Sequence, residues 1–162
     1  MKELIFVRHG KSSWKYDVGD RERPLKSRGI SDAKLVSQVF KNQNVGIDAI
    51  FSSPANRAYS TCKIFLQNMD FDLSKAIISD ELYDFGGESV LNFIKNLDDS
   101  LSCVMLFGHN HAFTSLINDL GDRFIGNLPT SGLARIAFDI EQWQHVKLGQ
   151  TKSLIFPKDL KG

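Results

Sequence analysis

Two histidines and two arginines in this sequence could together act on a negatively charged group. Arg8 and His9 stand side by side after one apolar run, Arg57 lies shortly after a second, and His109 directly follows another. A neutral imidazole can attack phosphorus, and the planar guanidinium of arginine matches phosphate oxygens bidentately and stays charged. These residue types predict phosphoryl chemistry in which one histidine attacks while the second, in its protonated form, holds the phosphoryl oxygens.

Each of these side chains also has a structural interpretation when it is taken alone. A histidine at a strand end is often a hydrogen-bonded structural residue, and His111 and His145 are expected to be surface or structural residues. A partly buried arginine often pairs with a carboxylate, for which Asp80 and Glu81 are candidates. The position of Arg57 favours the functional interpretation instead. A cation in the first turn of a helix is unfavourable next to the helix dipole unless an anion is bound there.

The elements that must position these residues alternate between strands and helices. Strand-length apolar segments cover 4–7, 49–51, 76–78 and 104–107, and the stretches between them have helical periodicity. The predicted fold class is α/β, a three-layer sandwich with a mixed, mostly parallel sheet flanked by helices, in a single domain over 1–162. Ligands of such sheets bind at the carboxyl ends of the strands, where the four residues fall.

Four amphipathic helices and a C-terminal hairpin complete the predicted fold. Ser27 is expected to cap the first helix, and Ser53 the second, with Pro54 as its first residue. The segments 133–138 and 143–148 are expected to pair as antiparallel strands. The predicted buried helix faces consist of Ile30, Ala33, Val36 and Phe40; Ala58, Thr61, Cys62 and Phe65; Val90, Leu91, Ile94 and Leu97; and Phe113, Leu116, Ile117 and Leu120.

Composition argues against several other classes of protein. The net charge of +1 supplies no global basic field for nucleic acid, and Cys62 and Cys103 lie outside any CxxC motif and are expected to be buried small residues. No acidic cluster of metal-ligand character and no GxxxxGK[ST] loop occur. The first residues show neither a basic n-region nor a long apolar h-region, so we expect no signal peptide, and no apolar run approaches membrane-spanning length. We therefore expect a cytoplasmic monomer without metal or other cofactor, and with no nucleic-acid or membrane partner.

Three motifs resemble those of the histidine phosphatase superfamily, which includes the cofactor-dependent phosphoglycerate mutases. Residues 6–14, FVRHGKSSW, are similar to its signature, residues 52–61, SSPANRAYST, to its second motif, and residues 108–110, GHN, to the motif of its second histidine. Within the superfamily, the KSSW, RPLKSRG and LPTSG segments and the late Trp143 resemble the bacterial branch of SixA-like phosphohistidine phosphatases. The resemblance covers nearly the whole chain.

This resemblance implies a phosphoglycerate-mutase-like fold and a phosphatase that forms a phosphohistidine intermediate on His9. It implies catalytic roles for His9, His109, Arg8 and Arg57, the last three forming the phosphate pocket. Ser12 falls where relatives often contact the substrate, although it could equally be an ordinary loop serine. The implied partner is a phosphorylated protein that carries phosphohistidine.

The sequence does not show a clear acid for the leaving group. The glutamate of many relatives would fall within 81–89, where Asp84 is the candidate general acid and Glu88 is more simply an exposed carboxylate at a helix start. Imidazole leaves more easily than an alkoxide, and few residues are available at 79–101 or 121–133 to form a lid over the site. Two alternatives stay open: a phosphomonoesterase or mutase acting on sugar phosphates or other small phosphate esters, and a noncatalytic phospholigand-binding module.

Overall fold

A computed structural model describes residues 1–161 and contains one six-stranded sheet. Strands β1, β2, β3 and β4 form the parallel part of the sheet. Strand β5 runs antiparallel to both β1 and β6. The order across the sheet is β3-β2-β4-β1-β5-β6, and the predicted mixed, mostly parallel sheet is confirmed. The strands are β1 (Lys2–Arg8), β2 (Ala49–Ser52), β3 (Ala76–Ile78), β4 (Cys103–Gly108), β5 (Leu133–Phe138) and β6 (Gln150–Ile155).

Helices cover both faces of this sheet. Successive residues of a strand point to opposite faces, so that Leu4 and Phe6 of β1 pack with α3 and α4, while Ile5 and Val7 pack with α1 and α2. The result is the predicted three-layer α/β sandwich. The helices are α1 (Ser27–Lys41), α2 (Asn56–Asn68), α3 (Glu88–Lys95), α4 (Ala112–Leu120) and the short α5 (Pro157–Leu160).

Two of the predicted helix starts are wrong. Helix α1 begins at Ser27 itself, with Lys26 as its N-cap, and Ile30 is exposed instead of buried. Helix α2 has Ala55 as its N-cap. Ser53 and Pro54 both lie before the helix, and the Ser53 N–H donates to the Phe107 carbonyl of β4 at 2.9 Å, which extends the sheet by one more bond.

The second strand of the predicted hairpin is also wrong. The sheet is completed by β6, whereas the segment 143–145 forms a 3₁₀ turn. Trp143 is fully buried against α3, and its indole N–H donates to the Leu101 carbonyl at 3.0 Å. Because this side chain is anchored in the core, the chain returns to the sheet only after Gly149.

Several smaller expectations can be compared with the fold. Cys62 and Cys103 are free and buried, as predicted, and burial raises the pKa of each thiol to about 12. Of the residues predicted to be buried on the third helix, Val90, Ile94 and Leu97 are buried, whereas Leu91 is only partly buried. Over residues 1–161, no helix is long and apolar enough to cross a membrane.

Candidate active site

The four predicted residues meet at the carboxyl edge of the sheet. Strands β1 and β4 are direct neighbours, which places the ring centroids of His9 and His109 5.2 Å apart. Arg8, His9 and Arg57 line an open pocket of about 400 Å³, and His109 lies buried beside it. The pocket is further lined by Lys11, Ser12, Trp14, Asp20, Arg23, Phe85, Asn110 and Thr130.

Backbone contacts hold the segment that carries His9. The His9 N–H donates to the Gly108 carbonyl at 3.1 Å, and the next N–H, that of Gly10, donates to Thr61 Oγ1 at 2.9 Å. A Cβ at Gly10 would lie 2.9 Å from the Gly29 carbonyl oxygen, so the close approach of α1 requires glycine here. The nucleophile candidate therefore stands on a backbone that α1, α2 and β4 fix together.

The His9 ring has its Nε2 free for attack. Its Nδ1 lies 2.7 Å from the Gly10 carbonyl oxygen, and because a carbonyl only accepts, Nδ1 carries the hydrogen of the neutral ring. Burial, helped by the positive charges of Arg57 and Arg8, lowers the pKa of His9 to about 3. At neutral pH the ring is uncharged, and the lone pair of Nε2 can act as a nucleophile.

His109 is buried and bound to Ser53. Ser53 Oγ accepts the Ala55 N–H at 3.2 Å and lies 2.8 Å from His109 Nε2. When the Ser53 hydroxyl donates to Nε2, the hydrogen of the neutral ring sits on Nδ1. Burial, followed by the proximity of His9, lowers the pKa of His109 to about 2. The expectation of a protonated second histidine concerns the ring in contact with a phosphoryl group, whose negative charge favours the protonated form, and it stays a prediction.

The two arginines do not pair with Asp80 or Glu81. Arg8 Nη1 donates to the Leu128 carbonyl at 2.8 Å. Arg57 instead binds Asp20, with Nη1 donating to its backbone oxygen at 2.7 Å and Nη2 to its carboxylate at 3.0 Å. Hydrogen bonds at the Nη atoms therefore orient both guanidinium groups. The Nε atoms take no part in these bonds.

Three buried side-chain nitrogens on three separate segments of the chain lack a hydrogen-bond partner. They are Arg8 Nε, Arg57 Nε and His109 Nδ1. Within residues 1–161, one other buried side-chain polar atom is in this position, Ser131 Oγ, and it lies beside Gly10. An unsatisfied buried donor costs roughly 1–3 kcal/mol. Arg8 and Arg57 line the same pocket as His9, so their guanidinium groups can bind a phosphoryl group there, whose oxygens provide acceptors for several donors at once.

The remaining predicted site residues have other partners. Ser12 lines the pocket, but its Oγ accepts a hydrogen bond from Arg23. Asp84 accepts from the N–H groups of Gly86, Gly87 and Val90 at 3.0–3.1 Å and thereby caps the start of α3. Both carboxylate oxygens of Asp84 therefore bind backbone N–H groups, and Asp84 does not line the pocket, which speaks against it as the general acid.

The other polar residues considered in the sequence lie away from the chemistry. Glu88 is exposed in the first turn of α3, as its structural interpretation predicts. His111 and His145 are exposed, in agreement with the expectation for them. Among residues 1–161, no group of three or more His, Cys, Asp or Glu side chains is arranged to hold a metal ion.

The structure adds Asp20 to the site, a residue that the sequence did not single out. Its Oδ1 accepts from Arg23 at 3.2 Å, and its Oδ2 accepts from Arg57 at 3.0 Å and from the Tyr83 hydroxyl at 2.5 Å. Burial alone would raise the pKa of Asp20, but the hydrogen bonds from Tyr83 and Arg57 lower it to about 2. The sequence signal that could have identified Asp20 was its position three residues before Arg23, the first residue of the RPLKSRG segment.

Ser53 was noticed in the sequence, but as a helix cap. Its contact with His109 joins the second motif to the third across 56 residues of chain. A serine at the end of a parallel strand that neighbours the strand carrying His109 is a weak signal for such a contact. The contact also requires β2 to lie next to β4, and this strand order cannot be read from the sequence.

Comparison with known proteins agrees with this site. The family model of the histidine phosphatase superfamily (branch 1) matches residues 4–90, which is more than half of the chain. The chain belongs to this superfamily. The predicted family and the predicted enzyme class, a histidine phosphatase, are therefore confirmed, and the matched residues contain Arg8, His9 and Arg57.

Relatives in sequence include proteins of two kinds. The uncharacterized protein Rv1276c of Mycobacterium tuberculosis is 28% identical over 138 residues, which are 79% of this chain and 84% of that protein. A 2,3-bisphosphoglycerate-dependent phosphoglycerate mutase of Actinobacillus pleuropneumoniae is 40% identical over 68 residues, which are 40% of this chain and only 30% of the mutase.

Solved structures share the fold along nearly the whole chain. The protein histidine phosphatase SixA, in a complex with tungstate, superposes with a TM-score of 0.83 at 22% identity over 98% of this chain and 99% of SixA. A mycobacterial glucosyl-3-phosphoglycerate phosphatase superposes with a TM-score of 0.67 at 12% identity, over 94% of this chain and 97% of that one. At such identities these superpositions establish the fold, and the predicted SixA-like, phosphoglycerate-mutase-like architecture is confirmed.

Proposed function

We propose that this protein removes phosphate from phosphohistidine on a carrier or signalling protein through a covalent intermediate on His9. The observation that carries the proposal is the unprotonated Nε2 of the buried, neutral His9, next to three buried N–H donors that have no partner in the protein. Attack on phosphorus requires such a lone pair, and the transferred phosphoryl group requires donors that are already oriented.

The proposed reaction proceeds in two displacements. The Nε2 lone pair of His9 forms an N–P bond while the P–N bond of the substrate breaks, and the bonding electrons leave with the substrate imidazole. The N–H groups of Arg8, Arg57 and His109 hold the phosphoryl oxygens during the transfer. Water then attacks phosphorus, the His9–phosphorus bond breaks, and both water protons leave with the phosphate, which restores neutral His9.

The site favours a nitrogen leaving group over an alkoxide. An alkyl phosphate expels a strongly basic alkoxide unless an acid protonates it. Asp84 is engaged in capping α3, and hydrogen bonds from Tyr83 and Arg57 hold Asp20 as an anion. An imidazole whose second ring nitrogen is already protonated leaves as a neutral molecule without such help. The fold shared with SixA, a protein histidine phosphatase, is consistent with this substrate class.

A phosphatase acting on small phosphate esters is the second candidate. The 40% identity of 68 residues to a phosphoglycerate mutase and the fold shared with a glucosyl-3-phosphoglycerate phosphatase favour it. Both candidates use His9 in the same way. They differ in the leaving group, so a comparison of substrates separates them.

The test compares turnover of a phosphohistidine-bearing carrier protein with that of a panel of sugar phosphates, in the presence of a chelator. The variants are His9→Ala and, as a matched control, His145→Ala, which removes an exposed imidazole outside the pocket. We expect rapid loss of phosphohistidine in the wild type and the control, and none above background in His9→Ala. Binding of tungstate to His9→Ala, measured by calorimetry, checks that its pocket is folded.

Three results would contradict the proposal in different ways. A clear preference for a sugar phosphate would move the function to the second candidate. Turnover that persists in His9→Ala would exclude His9 as the nucleophile. Tungstate binding without turnover of either substrate by the wild type would favour a noncatalytic phospholigand-binding module.

A further inference from the structure

Asp20 stands at the mouth of the pocket, where the leaving group must depart. His9 is almost fully buried at the pocket floor, whereas the carboxylate-bearing side chain of Asp20 is 43% exposed and lines the same pocket. In-line displacement places the leaving group on the side of phosphorus opposite to the attacking His9 nitrogen. Because His9 is the buried member of the lining and Asp20 an exposed one, we expect the leaving group to depart on the side of Asp20.

The loop that carries Asp20 is folded back on itself. Ser13 N–H donates to the Pro24 carbonyl at 2.8 Å, and Lys26 N–H donates to the Lys11 carbonyl at 2.8 Å. Arg23 is buried beneath the Trp14 ring, with its guanidinium carbon 3.2 Å from the ring centroid. Its guanidinium group donates hydrogen bonds to both Ser12 and Asp20. The position of the carboxylate is therefore set by the fold of the loop and not by Arg57 alone.

The hydrogen bonds of Asp20 determine which proton transfers it can take part in. Donors from Arg23, Arg57 and Tyr83 converge on its two oxygens. They favour the ionised form, so Asp20 cannot supply a proton to an alkoxide. An anionic carboxylate at the mouth can instead accept a hydrogen bond from a leaving group that carries an N–H.

We infer that Asp20 is a specificity-determining residue, whose carboxylate accepts the ring N–H of a phosphorylated imidazolium and thereby selects nitrogen over oxygen leaving groups. This inference rests on the proposed function, because it concerns the substrate of the same site. Flat rings at the mouth fit such a group: Trp14 is 75% exposed and Phe85 50% exposed, and both line the pocket.

The electron and proton balance of this step is complete without a co-reactant. The substrate ring carries the phosphoryl group on one nitrogen and a proton on the other, which points to Asp20. When the P–N bond breaks, its electron pair stays on the first nitrogen, and the ring leaves as neutral imidazole with its proton in place. Without that proton the ring would depart as an imidazolate, a far more basic leaving group.

An alternative role for Asp20 is simply to hold Arg57. The backbone oxygen of Asp20 already binds Arg57 Nη1 at 2.7 Å, and this contact does not depend on the side chain. Replacing the carboxylate by an amide keeps its shape and removes its charge, and an amide oxygen in the Oδ2 position still accepts from Arg57 and Tyr83. Asp20→Asn therefore separates a role in selecting the leaving group from a role in anchoring the arginine.

The experiment measures kcat/KM of Asp20→Asn for two small substrates, phosphoimidazole and 4-nitrophenyl phosphate, whose phenolate leaves without a proton. Asp17→Asn, which changes an exposed carboxylate of the same loop, is the matched control. We expect Asp20→Asn to lower kcat/KM for phosphoimidazole about tenfold or more, the effect of losing a charge-assisted hydrogen bond. For 4-nitrophenyl phosphate we expect no loss or an increase, because an anion near the departing phenolate is removed.

The outcomes distinguish this inference from the proposed function. Equal losses for both substrates, with weaker tungstate binding, would show that Asp20 only anchors Arg57 and would overturn the inference. An unchanged ratio of the two kcat/KM values would overturn it as well. A wild-type enzyme that fails to hydrolyse phosphoimidazole and phosphohistidine, while it hydrolyses esters through His9, would refute the proposed function itself.

Discussion

Replacing Ser53 by alanine should impair catalysis more than it impairs folding. The Ser53 hydroxyl lies 2.8 Å from His109 Nε2, and by donating to this atom it would hold the ring hydrogen on Nδ1, which has no partner in the protein. Without it, either tautomer of His109 can form, and the ring orientation is no longer held. A hydrogen bond to a charged group contributes about 1.5–3 kcal/mol. We therefore expect kcat/KM to fall by about 10- to 100-fold.

The same substitution has a calculable effect on stability. It leaves His109 Nε2 and the Ala55 N–H without their present partner in the core. Unsatisfied buried groups of this kind reduce the free energy of unfolding by roughly 1–3 kcal/mol. Urea denaturation would measure this loss, and the kinetic assay would be run well below the denaturation midpoint so that the protein stays folded.

Ser52→Ala is a matched control for Ser53→Ala. Ser52 is equally buried, but its hydroxyl donates to the Ser53 carbonyl at 2.9 Å and does not contact His109. We expect a loss of about 1 kcal/mol in stability and less than about a twofold change in kcat/KM. Equal kinetic losses in the two variants, or full activity of Ser53→Ala, would refute the assignment of the His109 tautomer to Ser53.

Three further predictions concern parts of the structure that support the site. Gly29→Ala would bring a methyl group to 2.3 Å from the Lys11 carbonyl oxygen and should cost about 3 kcal/mol or more of stability by urea denaturation, whereas Gly46→Ala, which has open space, should be nearly neutral. Asp84→Ala should cost about 1 kcal/mol through loss of the cap of α3 and leave kcat unchanged, so a large fall in kcat would revive it as the acid. NMR of the His9 ring should show no titration between pH 8 and pH 5, because burial lowers its pKa to about 3. Since unfolded His9 takes up a proton below about pH 6.5, this residue should make the protein less stable as the pH falls from 7 to 5, and an NMR midpoint near 6.5 would contradict the burial argument.

Most of the sheet could be predicted because its signals are local. Short apolar runs such as 104–107 stand between helical periods, and a strand of this length needs no distant information to be recognised. The predicted strand at 143–148 was wrong for a non-local reason. Trp143 belongs to the core beneath α3, and the alternation of its neighbours does not reveal that.

Arg8, His9 and His109 could be placed together from the sequence because parallel strands bring their carboxyl ends to one edge. Arg57 could be added because it falls in the first turn of the helix after β2, whichever residue caps that helix. These are consequences of chain direction and element order. They require no knowledge of side-chain contacts.

Only the tertiary structure decided how these residues are charged and connected. Asp20 meets Arg57 across 37 residues, and Ser53 meets His109 across 56, contacts that depend on loop path and strand order. Burial lowers the pKa of His109 to about 2, and the sequence does not show how deeply this ring is buried. A sequence can therefore name residues by type and order, but the protonation states and partners of those residues follow from the dielectric and the geometry that packing creates.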